Sequence, residues 1–177
     1  MSDSGEDWSD YVFCYENDDN YDCSLNIIDE YTPMYDEIEN KYMRPIKFAD
    51  LPKVKKVFNK SNVNVTNRNG FSALMIAILH SSSEIVDYLI NECKADIKHQ
   101  NDNGDNIYHI LADRGDNKNT SDAENIFNIL KNKDINIKIN INHKNIENQT
   151  PLTAMEHYSW RNDEELIKLY LENGAKS

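Results

Sequence analysis

The sequence predicts an all-α solenoid of stacked repeats with an acidic leader ahead of it. Three observations carry that prediction. A polar, Asn-led turn followed by two short apolar stretches occurs at Asn67–Asp96, returns at Asn101 and returns again at Asn145. Gly70 and Gly104, one in each of the first two turns, are 34 positions apart (104 − 70). Each unit offers only two short helices, which cannot cover their own apolar face and gain cover only from like neighbours.

The leader spans residues 1–40. It holds 13 Asp or Glu and no Lys or Arg, while the whole 177-residue chain has a net charge of −12. The remaining residues therefore sum to +1, and the negative charge is concentrated at one end. Trp8, Tyr11, Phe13, Tyr15, Tyr21, Tyr31 and Tyr35 are interleaved with the acids. That composition fits a partly disordered interaction segment. A tail merely kept soluble by its charge is the plainer reading of roughly the first 20 residues. Ile27–Ile38 is apolar enough to pack on the first repeat and cover its end.

Residues 41–66 read as a degenerate capping unit. Pro45–Asp50 would end a first helix. Leu51–Phe58 would form a second, with Pro52 tolerated in its first turn. Lys53, Lys55 and Lys56 supply the polar outer face a terminal unit needs.

The first full unit, 67–100, follows from helical spacing. Leu74, Ala77 and Ile78 share one face of a first helix, and Ile85, Val86, Leu89 and Ile90 one face of a second. The second unit, 101–144, carries Ile107–Ala112 and then Ile126, Phe127, Ile129 and Leu130. Polar residues Asp116–Ser121 read as a loop that delays its second helix. Lys131–Lys144 alternates Ile with Asn and Lys. Alternation alone suggests a strand, and an extended interrepeat hairpin is the expectation here. The third unit, 145–177, carries Pro151–Met155 and Glu164–Leu171. Asn148 stands where the other turns have Gly, so it is expected to take the left-handed conformation.

These residues resemble the ankyrin-repeat family. Its opening turn, its Thr-Pro-Leu-His segment, its Glu-Ile-Val run and its Gly-Ala-Asp loop have counterparts in Asn67–Gly70, Thr150–Leu152, Glu84–Val86 and Gly174–Ala175. Ser72-Ala73 and Asn106-Ile107 depart from Thr-Pro. The resemblance implies a protein-binding scaffold whose turn tips and inner helices face the partner. By motif, the tips are Arg68, Asn69, Asp102, Asn103, Ile146 and Glu147. The inner-helix positions are Phe71, Leu79, His80, Asp105, Asp113, Arg114, Gln149, His157 and Tyr158. Phe71, Tyr158 and Trp160 are the aromatic anchors to consider, since few residues usually dominate an interface. For Phe71 and Leu79, packing against the next repeat is an equal alternative.

Twenty-five Asn, with abundant Ile, Lys, Tyr and Asp, match AT-rich codons. With the eroded repeats, this resembles poxviral ankyrin proteins. That likeness implies capture of a host signalling protein in innate immunity, with NF-κB components as first partners. Many such proteins carry a C-terminal F-box-like segment, which is not seen before Ser177, so no ligase-adaptor role is expected; a truncated or vestigial ankyrin fragment with a structural role only is the alternative function. Asp3-Ser4-Gly5 through Ser9 resembles the phosphodegron of IκB proteins, in which phosphoserines engage a ubiquitin-ligase receptor. Ser4 and Ser9 would be the modified residues, although their spacing is one longer than usual. Chance within an acidic tail is the plainer account.

Enzymatic chemistry has no foothold in the residue pattern. His80, His99, His109, His143 and His157 are scattered, and no Gly-rich phosphate loop exists. His109 matches the family's Thr-Pro-Leu-His histidine, which implies a structural hydrogen bond at a repeat junction. No catalytic residue, cofactor or metal site is assigned. A neutral body and an anionic leader argue against nucleic acid. No apolar run reaches transmembrane length, and the acidic N-terminus lacks a secretory pattern. Cys14, Cys23 and Cys93 fit reduced thiols in a cytoplasmic or nuclear setting.

Overall fold

The computed structural model describes residues 37–114, 120–137, 139–157 and 164–176. The chain divides into two units, Met1–Glu30 and Tyr31–Ser177, and every described residue belongs to the second. Nine helical segments occur among the described residues: α1 (Glu39–Met43, wound as a π-helix), α2 (Arg44–Lys47), α3 (Leu51–Val57), α4 (Ala73–His80), α5 (Ser83–Asn91), α6 (Ile107–Asp113), α7 (Thr120–Ile137), α8 (Pro151–His157) and α9 (Glu164–Glu172). The described residues hold no strand beyond a single bridge between Thr66 and Ser72.

Two rows of helices result. α2, α4, α6 and α8 pack in sequence as an inner row, and α5, α7 and α9 as an outer row. Their sequences show why. Every residue of α4 from Ala73 to Ile78 is buried. A helix apolar on all sides must have neighbours on all sides, and α4 lies between α2, α5 and α6. α5 buries only Ile85, Val86, Leu89 and Ile90, leaving Glu84 and Asp87 in solvent. One covered stripe is what an outer helix needs.

Aromatic side chains fasten the second unit to the third. Tyr108, Phe127 and Tyr170 form a buried triangle with ring centroids 5.8, 6.2 and 5.1 Å apart. The Tyr170 hydroxyl donates to the Tyr108 carbonyl at 2.7 Å. Full burial pushes the Tyr170 phenol well above its ordinary pKa, so it stays a donor.

The cap is a helix pair. α2 ends in a left-handed residue, Ala49 at φ 51°. Asp50 N–H bonds to Pro45 O and Ala49 N–H to Ile46 O, the paired bonds of a Schellman turn. Asp50 then caps α3 by accepting from Lys53 N–H at 3.0 Å.

Two expectations need correction. Lys131–Ile137 is helix, not an extended hairpin, because α7 runs 18 residues where α5 has nine. No Gly or Pro occurs between Gly115 and Pro151, so nothing in the local sequence stops the helix at Leu130. The Ile alternation there is not a strand signal. Ile139 and Ile141, past the helix, pack on the core. Thr120 and Ser121 also belong to α7 rather than to the preceding loop. Of the leader, Ile38 is described and packs against the core, whereas Ile27–Asp36 lies outside the described residues.

Candidate protein-binding surface

Each turn is built by its leading asparagine. The Asn67 Oδ1 accepts from the N–H groups of Asn69 (3.1 Å) and Phe71 (3.0 Å). Asn101 does the same for Asn103 (3.0 Å) and Asp105 (2.9 Å). Asn145 repeats it for Glu147 (3.1 Å) and Gln149 (3.0 Å). A short amide side chain suits this work because it reaches its own backbone two residues on. Each turn then needs a left-handed residue at its fourth position. Gly70 (φ 73°), Gly104 (φ 72°) and Asn148 (φ 62°) provide it, as expected of Asn148.

Adjacent tips are bonded to one another. Asp102 N–H donates to Asn69 O at 3.3 Å, and Ile146 N–H to Asn103 O at 3.0 Å. Asp105 bridges the second and third turns, accepting from Asn101 Nδ2 at 3.0 Å and from Asn145 Nδ2 at 2.9 Å. The three tips are therefore one hydrogen-bonded row.

Histidines join the same row. His99 Nε2 meets Gly70 O at 2.7 Å and His143 Nε2 meets Gly104 O at 3.1 Å. His109 sits in a capping box with Asn106, and its Nε2 meets Gln149 O at 3.0 Å in the next turn. An Nε2–H donating to that carbonyl leaves Nδ1 to accept from Asn106 N–H at 3.3 Å. Burial holds the His109 pKa below the ordinary imidazole value, against an opposing pull from the Gln149 carbonyl and Asp105. This is the junction bond the family likeness implied, with no chemistry attached to it.

The predicted partner residues fall into three groups. At the tips, Arg68, Asn69, Asp102, Asn103, Ile146 and Glu147 are all exposed, Ile146 by 73%. Toward the core, Phe71 and Leu79 are partly buried against it, and Asp105 is engaged by its two asparagines. At the inner-helix C-termini lie His80, Asp113 and Arg114. His80 is exposed, and its pKa is lowered first by desolvation and then by the charges of Lys47 and Arg114, with Asp113 and Glu39 opposing. Arg114 is half-buried and donates to Ile78 O. It secures the end of α4; burial lowers its pKa, and nearby Asp122 opposes that by favouring the charge. The side chain of His157, and all of Tyr158 and Trp160, lie outside the described residues, as do Ser4 and Ser9.

Sequence reasoning passed over two features. Phe48 is 70% exposed at the end of α2, next to left-handed Ala49. His99 and His143 each precede a turn asparagine by two positions, a recurrence that was visible.

A family model described as ankyrin repeats in three copies matches residues 43–141. The chain belongs to the ankyrin-repeat family. An ankyrin array is a protein–protein interaction scaffold, and the bonded row of exposed tips suits that role. No curated protein matches the chain. Among the described residues of this ankyrin domain no cluster of three His, Cys, Asp or Glu is arranged to hold a metal, and no helix is long and apolar enough to cross a membrane.

Proposed function

We propose that this ankyrin protein acts by stoichiometric capture of a host signalling protein, as a viral modulator of innate immunity working in the cytoplasm. The observation that supports the reading best is the tip row. Six exposed side chains of mixed chemistry stand on three turns whose backbones are bonded to each other. A surface fixed in this way loses little freedom on binding, and that favours affinity. Ile146 supplies an apolar contact beside the acids Asp102 and Glu147. The viral setting is supported by the AT-biased residue usage and the eroded repeats, and NF-κB components are the first partners to test.

Co-purification from transfected cells, joined to an NF-κB reporter, tests this. Wild-type chain should retain an NF-κB component and lower the reporter signal. The pair Ile146→Asp and Glu147→Lys, whose exposed side chains take no part in the scaffold bonds made by their backbones, should lose both effects. Retention of every partner by that variant would end the tip-row reading.

A second reading is favoured by Asp3-Ser4-Gly5 and Ser9: phosphorylated, this segment would engage a ubiquitin-ligase receptor. Two phosphates add about −3 to −4 of charge and strong acceptors for Arg and Lys. Capture of the receptor by a doubly phosphorylated peptide no better than by the unmodified one would dismiss it.

A further inference from the structure

The charge of the chain is segregated more sharply than a leader and a neutral body. Residues 41–66 hold seven Lys or Arg and one acid, a net of +6. Residues 67–177 hold 12 bases and 17 acids, a net of −5. The cap is thus a cationic island in an anionic protein. Three of its cations are neutralised locally, in the pairs Lys41–Glu37 (3.9 Å), Lys47–Glu39 and Lys53–Asp50 (3.2 Å). Arg44, Lys55, Lys56 and Lys60 have no ion-pair partner among the described residues, and all four are exposed.

An aromatic surface accompanies them. Phe48 stands 70% exposed with the Arg44 guanidinium 5.8 Å from its ring centroid. Lys55 Nζ lies 5.7 Å from the Tyr88 ring. Arg44 begins α2 and Phe48 follows its end, Lys55 and Lys56 lie on α3, Lys60 follows α3, and Tyr88 is on α5; α3, of seven residues, is about 10 Å long. Solubility alone would be served by either sign of charge. It does not call for a bare Phe among the cations.

We propose that the exposed cations and Phe48 of the cap form a second interaction surface, one that takes a short acidic protein segment carrying an apolar side chain to set against Phe48. The surface is separate from the tip row and does not depend on it. Its small extent and the acidic repeats beside it favour a short segment. A long polyanion, such as duplex DNA or an anionic membrane, would be repelled by the −5 of the adjoining repeats as it passed them.

The test uses the full-length chain and a fluorescent peptide in which Glu alternates with Leu and Tyr, read by anisotropy. Binding is expected at low salt, weakening about tenfold or more between about 50 and 500 mM salt as the exposed charges are screened. The triple variant Lys55→Glu, Lys56→Glu, Lys60→Glu should weaken it by a further factor of about ten. Phe48→Ala should weaken it by about threefold or more at every salt concentration, because its contribution is not ionic. All four side chains are exposed, so the variants should retain the helical circular dichroism of the parent, which checks their folding. Absence of binding at low salt, or equal binding by folded variants, overturns the proposal. So does a duplex DNA or an anionic vesicle that binds as well and responds to the same variants. Sedimentation of the chain alone supplies the last outcome. A mass that rises with concentration, and falls back in the triple variant, would mean the acidic segment belongs to a second copy, and that overturns a foreign partner.

Discussion

Replacing Gly70 with alanine separates the two demands made on a turn residue. At φ 73° any Cβ is strained, by roughly 1–2 kcal/mol. The new Cβ would also lie 2.4 Å from Asp102 Oδ1 and 2.8 Å from Asp102 N. The carboxylate can rotate away. The backbone nitrogen cannot, and its N–H is the donor that joins the second tip to Asn69 O. Losing that bond adds about 1 kcal/mol, for a total near 2–3 kcal/mol. Gly174→Ala is the control. Its φ is 85° and a Cβ there meets nothing within 4 Å, so it should cost the strain alone. Urea unfolding of the two variants, with equal m-values, reads the difference directly. Gly70→Ala should be the costlier by about 1 kcal/mol or more. Equal costs would refute the reasoning, because the tips would then not be in register.

Other predictions follow from single residues. Ala49, Lys94 and Asn148 hold φ of 51°, 64° and 62°. Replacing each with Gly should raise stability by up to about 1 kcal/mol, seen as a higher urea midpoint, with the smallest gain at Asn148, which tolerates this region best. Tyr170→Phe removes a buried hydroxyl bonded to Tyr108 O and should cost about 1 kcal/mol in the same assay. For His109, burial lowers the folded pKa, so the unfolded chain takes up the proton first. Its contribution is present above the unfolded value and is lost as pH falls below about 6.5 toward the folded pKa. Melting temperatures between pH 7.5 and about 5.5 should therefore fall less steeply for His109→Gln than for the parent.

Much of the fold was legible because the apolar spacing is local. Ile85, Val86, Leu89 and Ile90 fix the buried stripe of α5 from four letters. Asn148 declared its backbone by standing in a glycine's place. What failed was a matter of competition between periods. Lys131–Lys144 shows alternation, yet lacks any residue that would stop a helix already running, so α7 continued. The surface was less legible than the fold. Asp105 and Arg114 look like surface charges in the sequence, but both are tied to neighbouring repeats, and those ties connect residues 36 and 40 positions apart. The abundance of Asn, read as codon usage, also has a physical use. Asn67, Asn101 and Asn145 build the turns, Asn106 caps α6, and Asn64 and Asn142 bond the loops of successive units, to Asp96 N–H at 2.9 Å and Lys176 N–H at 2.7 Å.

The stacking of like units is tested most directly by hydrogen-bond scalar couplings in labelled protein. Couplings from Asp102 N to the Asn69 carbonyl carbon, and from Ile146 N to that of Asn103, are predicted, with both amides slow to exchange. Exchange of both amides at unprotected rates, without either coupling, would contradict the stacked row and the binding surface built on it.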